Sequence, residues 1–402
     1  MDKSFRAEKV TDKVWWVGAV DWSLKDFHGY STERGTTYNA YLVTGEKNVL
    51  IDTVKAPFLG EMLARISSVI DPEKIDFIIS NHSEMDHSGG LPGAVAKIKP
   101  KEVFASEMGV KALQAHFGVD FAVTPVRSGG KLNLGGNEFV FAETRMLHWP
   151  DSMFTYLAGE KVLFSQDAFG MHLAGSRLFE DEIPFDIIEW EGMKYFANIL
   201  MPFSQQVLRL IEALPSLNLD ISVIAPDHGP VWRKDIMRVV EMYRKWAARE
   251  NMDKVLILYD TMWKSTEKMA FAIADGARSA GPEVKVLSMS AADRSRAATE
   301  ALKAGALIAG SPTMNNNLFP TMADVMTYLK GLRPLGLVGA AFGSYGWSGE
   351  SAQQLADTLK AMKADLVAEP LKVKYVPTSA DISACFDLGV KVAEALKAKL
   401  KA

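Results

Sequence analysis

Ile75-Asp76-Phe77-Ile78-Ile79-Ser80-Asn81-His82-Ser83-Glu84-Met85-Asp86-His87-Ser88-Gly89-Gly90 passes from a short apolar run, read as a buried strand, into a loop that sets His82, Glu84, Asp86 and His87 within six residues. A single loop histidine is usually no more than a solvated side chain. Four ligand-type groups together point to metal. The placement recurs downstream, where His148 follows Phe139–Leu147, Asp167 follows Lys161–Gln166 and His228 follows Ile221–Asp227. Each stands just past the C-terminal end of an expected strand, the edge at which open α/β sheets collect functional groups. Residues far apart in the chain are therefore expected to converge on one pocket.

The set comprises four imidazoles (His82, His87, His148, His228) and three carboxylates (Glu84, Asp86, Asp167), enough for two metal ions. One consistent assignment gives His82, Glu84 and His148 to one ion and Asp86, His87 and His228 to the other, with Asp167 bridging. The lone cysteine, Cys385, excludes an intramolecular disulfide and any cysteine-rich zinc or iron-sulfur site, so His and carboxylate must serve as ligands. His172, five residues after Asp167, is either a hydrogen-bond donor beside the metals or a helix residue satisfied locally. Tyr195 and Trp149 either wall the pocket or pack in the core. His28 and His116 have no ligand company and read as structural.

Around this loop the chain reads as two domains. Its 402 residues, 48% hydrophobic and 23% charged, suit a globular protein with a large core. Val14–Thr53 is hairpin-rich, and runs at Phe77–Ser80, Glu102–Ala105, Phe139–Glu143, Lys161–Ser165 and Ile221–Pro226 then alternate with amphipathic helices. That mixture implies a layered α/β domain over residues 1–250, closed by a helix from Lys234 to about Glu250. From residue 251 to 402 the pattern becomes regular. VLILY, VKVLSM, ALIAGSP, LVGAAFG and a run near LKVKY alternate with helices, which implies a doubly wound five-stranded parallel sheet.

Residues 1–250 hold 27 Lys+Arg against 34 Asp+Glu (−7), and residues 251–402 hold 18 against 15 (+3). No basic stripe with interleaved aromatics exists, so nucleic acid is not an expected partner. The N-terminal stretch lacks a signal-peptide core and no segment approaches a membrane span, so a cytoplasmic protein is expected.

The second domain carries three loops at corresponding strand ends: Thr261-Met262-Trp263-Lys264-Ser265-Thr266-Glu267, Ser311-Pro312-Thr313-Met314-Asn315-Asn316-Asn317 and Gly343-Ser344-Tyr345-Gly346-Trp347-Ser348-Gly349. Hydroxyls and free amides at a helix start, here Thr261, Ser265 and Thr266 beside Met262, suit a phosphate. The loop of Ser311, Pro312, Thr313, Asn315, Asn316 and Asn317 suits an isoalloxazine ring, its asparagines supplying donors and acceptors for the polar edge. Beside Ser344, Gly346 and Gly349 allow close backbone approach, and Tyr345 or Trp347 can stack on its face. A GxGxxG fingerprint is absent from the first strand-to-helix turn, so FMN fits better than NAD.

The HxExDH loop with the later His, Asp and His resembles the metallo-β-lactamase superfamily, whose hydrolases usually read HxHxDH, and here Glu84 replaces the second His. A harder oxygen donor moves preference from zinc towards iron or manganese. The three later loops resemble flavodoxin, although Lys264 stands where a glycine is common. Together the two halves resemble the flavodiiron proteins over nearly the whole chain: a metallo-β-lactamase-like αββα sandwich followed by a flavodoxin-like domain.

The resemblance implies FMN, two irons, and reduction of dioxygen to water, of nitric oxide to nitrous oxide, or of both. His172 and Tyr195 would tune the choice of gas. It further implies a head-to-tail homodimer. With one cysteine the chain cannot hold rubredoxin's four-thiolate iron, so a separate rubredoxin is the expected donor. The main alternative is a zinc hydrolase whose flavodoxin-like domain serves only for interaction; a flavin carrier or sensor with no metal is the third reading.

Overall fold

The structure, a computed structural model, describes residues 5–118, 121–250 and 252–401. The chain divides into two compact units, Met1–Tyr195 with Phe203–Ala247 and Phe196–Pro202 with Ala248–Ala402.

The first unit is built on two sheets. In one, the strands run in the order Glu8–Lys9, Val14–Trp16, Tyr41–Val43, Asn48–Ile51, Ile75–Ser80, Glu102–Ser106, Val123–Val126. Tyr41–Val43 and Asn48–Ile51 form the antiparallel hairpin expected around Gly45-Glu46-Lys47, pairing Tyr41 with Ile51 and Val43 with Val49. In the other sheet the order is Lys131–Leu134, Asn137–Glu143, Met153–Leu157, Val162–Gln166, Val223–Pro226.

Strand alternation sorts the apolar residues into layers. Tyr41, Val43, Val49, Ile51 and Ile79 meet Phe139, Phe141, Leu157, Phe164 and Ala225 of the facing sheet in one core. The intervening Leu42, Leu50 and Ile78 turn outward onto Met62, Ile66, Leu91 and Ile98 of the helices on the first sheet's outer side. Behind the second sheet, Phe154 meets Phe169 (6.3 Å between ring centroids), and Phe169 meets Tyr243 of helix Ile236–Ala248 at 5.0 Å. The result is the αββα sandwich. Met153–Leu157 lies at its centre with all five residues buried, so it shows no alternation for a sequence pattern to detect.

In the second unit the parallel strands are ordered Glu283–Ser288, Lys254–Tyr259, Ala306–Met314, Val338–Tyr345. The fifth position is split: Asp365–Leu366 and Leu371–Lys374 both pair with Val338–Tyr345. Pro370, lacking an N–H, stands in the gap. All six residues of Lys254–Tyr259 are buried, as a strand covered on both faces requires.

Helices Ser265–Ser279 and Ser379–Lys401 cover one face, and they meet backbone to backbone. A Cβ on Gly276 would lie 1.9 Å from the Phe386 carbonyl oxygen, and one on Gly389 would lie 2.0 Å from that of Ile273. Gly276→Ala therefore lowers the unfolding free energy of this unit by about 1–3 kcal/mol, despite alanine's better helix propensity. A thermal transition equal to that of the parent would rule this out.

Candidate metal centre and flavin cavity

Strand Ile75–Ser80 delivers His82 at its C-terminal end, and Glu84 then stands as the extended residue preceding the single helical turn Met85–Ser88, which carries Asp86 and His87. Asp167 directly follows Val162–Gln166, and His228 lies two residues past Val223–Pro226, the strand paired in parallel beside it. His148 occupies the loop before Met153–Leu157. The seven candidate ligands fall into two groups, His82, Glu84, His148 and Asp167 in one and Asp86, His87 and His228 in the other, with donor atoms in each within 4.8 Å of one another.

Asp167 faces both groups. Its Oδ2 is 3.3 Å from His82 Nε2 and 3.0 Å from His148 Nε2, while its Oδ1 is 3.2 Å from His87 Nε2 and 3.6 Å from His228 Nε2. Glu84 Oε2 lies 3.4 Å from His82 Nε2 and 3.2 Å from His148 Nε2. Asp86 spans His87 at 3.4 Å and His228 at 3.2 Å.

The donor set fits two cations. Both Asp86 oxygens, Asp167 Oδ1 and His87 Nε2 are buried, and none has a hydrogen-bond partner among the described residues, which leaves them as donor atoms for a cation. Outer partners fix the tautomers. His82 Nδ1 donates to Asp151 Oδ2 at 3.2 Å and His228 Nδ1 to the Thr37 carbonyl at 2.6 Å, leaving each Nε2 as the inward donor atom.

Burial opposes charge throughout, yet the mutual field wins. Asp167 and then Asp151 hold His82 well above its ordinary pKa, and hydrogen bonds donated by His148 to Asp167 and Glu84 bring His148 to about 9. In return His87 and His82 hold Asp167 well below the usual carboxylate range. Positive charge is strongly favoured at this point, as a metal site needs.

His172 lies in an irregular segment, not in a helix, and is 1% exposed. Its Nδ1 is 2.8 Å from Thr36 Oγ1, and its ring stands 4.5 Å from that of His228 and 5.1 Å from that of Tyr195. Burial, then His228, hold it well below its ordinary pKa, so it is neutral. Burial and Asp167 push the Tyr195 hydroxyl well above its usual value, so it keeps its proton. Trp149 meets His82 edge-on at 5.3 Å and stacks near His116 at 6.1 Å.

Several neighbours carry no signal in the sequence. His28, read as structural, has Nε2 3.7 Å from Glu84 Oε1. Asp151, Asp52 and Asp227 are ordinary loop acids by pattern. Asp52 accepts from the Asn81 backbone and side-chain amides at 2.6 and 2.8 Å, and Asp227 Oδ2 stands 3.6 Å from His87 Nδ1. The Pro-Asp after His148-Trp149 and the Asp immediately before His228 are the only local hints.

In the second unit, a cavity of about 540 Å³ opens between the three predicted loops, a size in the range of cofactor pockets. Met262, Ser265, Pro312, Thr313, Asn315, Asn316, Ser344, Tyr345, Gly346 and Trp347 line it. The other five candidates do not. Thr266 is buried behind Ser344, 2.8 Å between hydroxyls, and Ser311 donates to the Pro312 carbonyl. Asn317 pairs with Met314, Gly349 precedes helix Glu350–Ala361, and Thr261 Oγ1 is buried without a partner among the described residues. Trp263, Ser348, Tyr375 and Val376 join the lining. The pair Tyr375 and Val376 was missed because it follows the split fifth strand, whose end the sequence blurs.

Lys264 has φ 68°, the left-handed conformation that explains why glycine is common there. That conformation costs an L-residue about 1–2 kcal/mol. Lys264→Gly accordingly raises stability by up to about 1 kcal/mol after glycine's own entropic cost, with FMN still bound. A lowered melting temperature with unchanged flavin content would contradict it.

A family model described as ODP family beta lactamase matches residues 36–229, and one described as Flavodoxin matches residues 257–389. The chain is 45% identical over 388 residues to a nitric oxide reductase of Moorella thermoacetica, covering 96% of this chain and 97% of that protein. It superimposes on rubredoxin oxygen:oxidoreductase from the anaerobe Desulfovibrio gigas with a TM-score of 0.97 at 46% identity, over 99% and 100% of the two chains. The flavodiiron protein from Giardia intestinalis gives 0.96 at 32% identity, over 100% and 99%. Two buried ligand groups on an αββα sandwich, a flavin-sized cavity on a doubly wound sheet and relatives matched from end to end agree: this chain belongs to the flavodiiron protein family.

Proposed function

We propose that the protein is an oxidoreductase that reduces dioxygen to water, nitric oxide to nitrous oxide, or both, at a diiron centre, with electrons passed from rubredoxin through FMN. The observation that carries this reading is the division of Asp167, one oxygen towards each trio of ligands, in a chain that also has a flavin cavity. His82, Glu84 and His148 would hold one iron and Asp86, His87 and His228 the other, with Asp167 available to both. Two ferrous ions and one reduced flavin supply together the four electrons that dioxygen requires.

The chain's own residues provide the surroundings. His82 and His228 present Nε2 because Asp151 and Thr37 fix their Nδ1 protons. Tyr195 keeps a proton on its hydroxyl beside neutral His172, and the half-buried Phe27 packs its ring 4.9 Å from that of His172. At the second site Ser265 and the amides opening helix Ser265–Ser279 take the phosphate, Asn315 and Asn316 the polar edge of the ring, and Tyr345 or Trp347 its face. The hydrolase alternative lacks support, since it leaves both Glu84 and the flavin cavity without a use.

Metal analysis with a visible spectrum, followed by anaerobic reduction with rubredoxin and parallel dioxygen and nitric oxide consumption, tests the whole reading. Two irons, one FMN and rubredoxin-dependent uptake of either gas are expected. Zinc without flavin would overturn it.

We also infer a head-to-tail homodimer in the cytoplasm. A fully active monomer in sedimentation and turnover would refute the dimer. Among the described residues no helix is long and apolar enough to cross a membrane. The more positive second half suits an acidic carrier, so raising salt slows rubredoxin-dependent turnover. A salt-independent rate would exclude electrostatic docking.

A further inference from the structure

The imidazoles of the metal cluster differ in what stands behind them. His82 Nδ1 is 3.2 Å from Asp151 Oδ2, and the same oxygen accepts from the Ser83 amide at 2.6 Å and the Ser83 hydroxyl at 2.7 Å. Asp151 is 3% exposed, and its main-chain carbonyl is held by Ser106 Oγ at 2.7 Å, so the carboxylate is pinned at both ends. His228 Nδ1 instead donates to a neutral acceptor, the Thr37 carbonyl. His87 Nδ1 stands 3.6 Å from Asp227 Oδ2, and neither atom makes a hydrogen bond among the described residues. Of these three ligands, His82 alone has a hydrogen-bonded acid behind it. An imidazole backed by a carboxylate gains basicity at its other nitrogen and becomes the stronger metal donor.

We propose that Asp151 is a positioning residue that makes the pocket of His82, Glu84 and His148 the firmer of the two ion sites, and the iron within it the harder one to reduce. This rests on the diiron reading above. Stronger donation from His82 favours the ferric state of its own iron, while the Asp86, His87 and His228 pocket has no equivalent support. The asymmetry lies outside the ligand count, because each trio offers two imidazoles and one carboxylate besides its share of Asp167.

The test compares the diiron holoprotein with Asp151→Asn, in which the amide oxygen still accepts from Ser83 and His82 but carries no charge. Iron transfer to a ferrous chelator is followed anaerobically, with ⁵⁷Fe Mössbauer spectra taken during stepwise reduction. In the parent protein, two unequal affinities are expected. In Asp151→Asn the tighter one weakens about 10–100-fold while the weaker one holds, and one Mössbauer doublet moves while the other stays. Asp227→Asn leaves the tighter affinity unchanged.

Retention of both affinities in Asp151→Asn, or equal weakening of both, overturns the proposal. Should that variant not fold, the parent protein decides. Two irons of identical affinity reduced in one step refute this inference alone, whereas a protein that binds no iron refutes the diiron reading itself.

Discussion

Asp167→Ala is expected to release both irons and to lower gas reduction by at least about 100-fold, with FMN still bound in full. The size follows from its position: loss of a residue one step behind a ligand typically costs 10–100-fold in metal affinity or activity, and Asp167 is read as a ligand shared by both ions. Its two oxygens lie 3.0–3.6 Å from four imidazole nitrogens, so its removal also leaves those rings without their common counter-charge. Metal analysis, the flavin spectrum and a gas electrode check the three parts. A variant that keeps two irons per chain would refute the bridging role.

Stripping the metals should lower the melting temperature of the first unit by roughly 8–16 °C and leave the second unit's transition in place. Ions present at a thousandfold excess over their dissociation constant stabilise the folded state by about 4 kcal/mol, and each kcal/mol moves a unit of this size by about 2–4 °C. The direction comes from the cluster itself. Glu84, Asp86 and Asp167 are buried together, and the histidines that hold them ionised must otherwise carry the positive charge. Calorimetry before and after chelation, with iron restored as the control, measures the effect. Equal shifts in both units, or none, would contradict it.

The architecture was legible where local pattern and burial agree. Tyr41–Val43 and Asn48–Ile51 announce themselves by a short turn between apolar runs, and Lys254–Tyr259 by a run buried on both faces. The convergence of the candidate ligands was legible for a different reason: strand ends are visible in sequence, and function gathers there. What stayed hidden depends on tertiary approach. Asp151 and Asp227 look like any loop acid until the fold turns them behind His82 and His87. His28 meets Glu84 only once the chain is folded. Thr266 and Ser311 stand in the predicted loops but outside the cavity lining, their hydroxyls 2.8 Å from Ser344 Oγ and the Pro312 carbonyl oxygen. Met153–Leu157 offered no periodicity at all.

The order of the ligands along the chain has a consequence for synthesis. His82, Glu84, His148 and Asp167 have all been made once residue 167 leaves the ribosome, whereas Asp86 and His87 lack His228 until strand Val223–Pro226 has been made and docked in parallel beside Val162–Gln166. That docking closes a long loop, a slow kind of contact to form. A nascent chain thus carries every ligand residue of one group before it carries the last of the other.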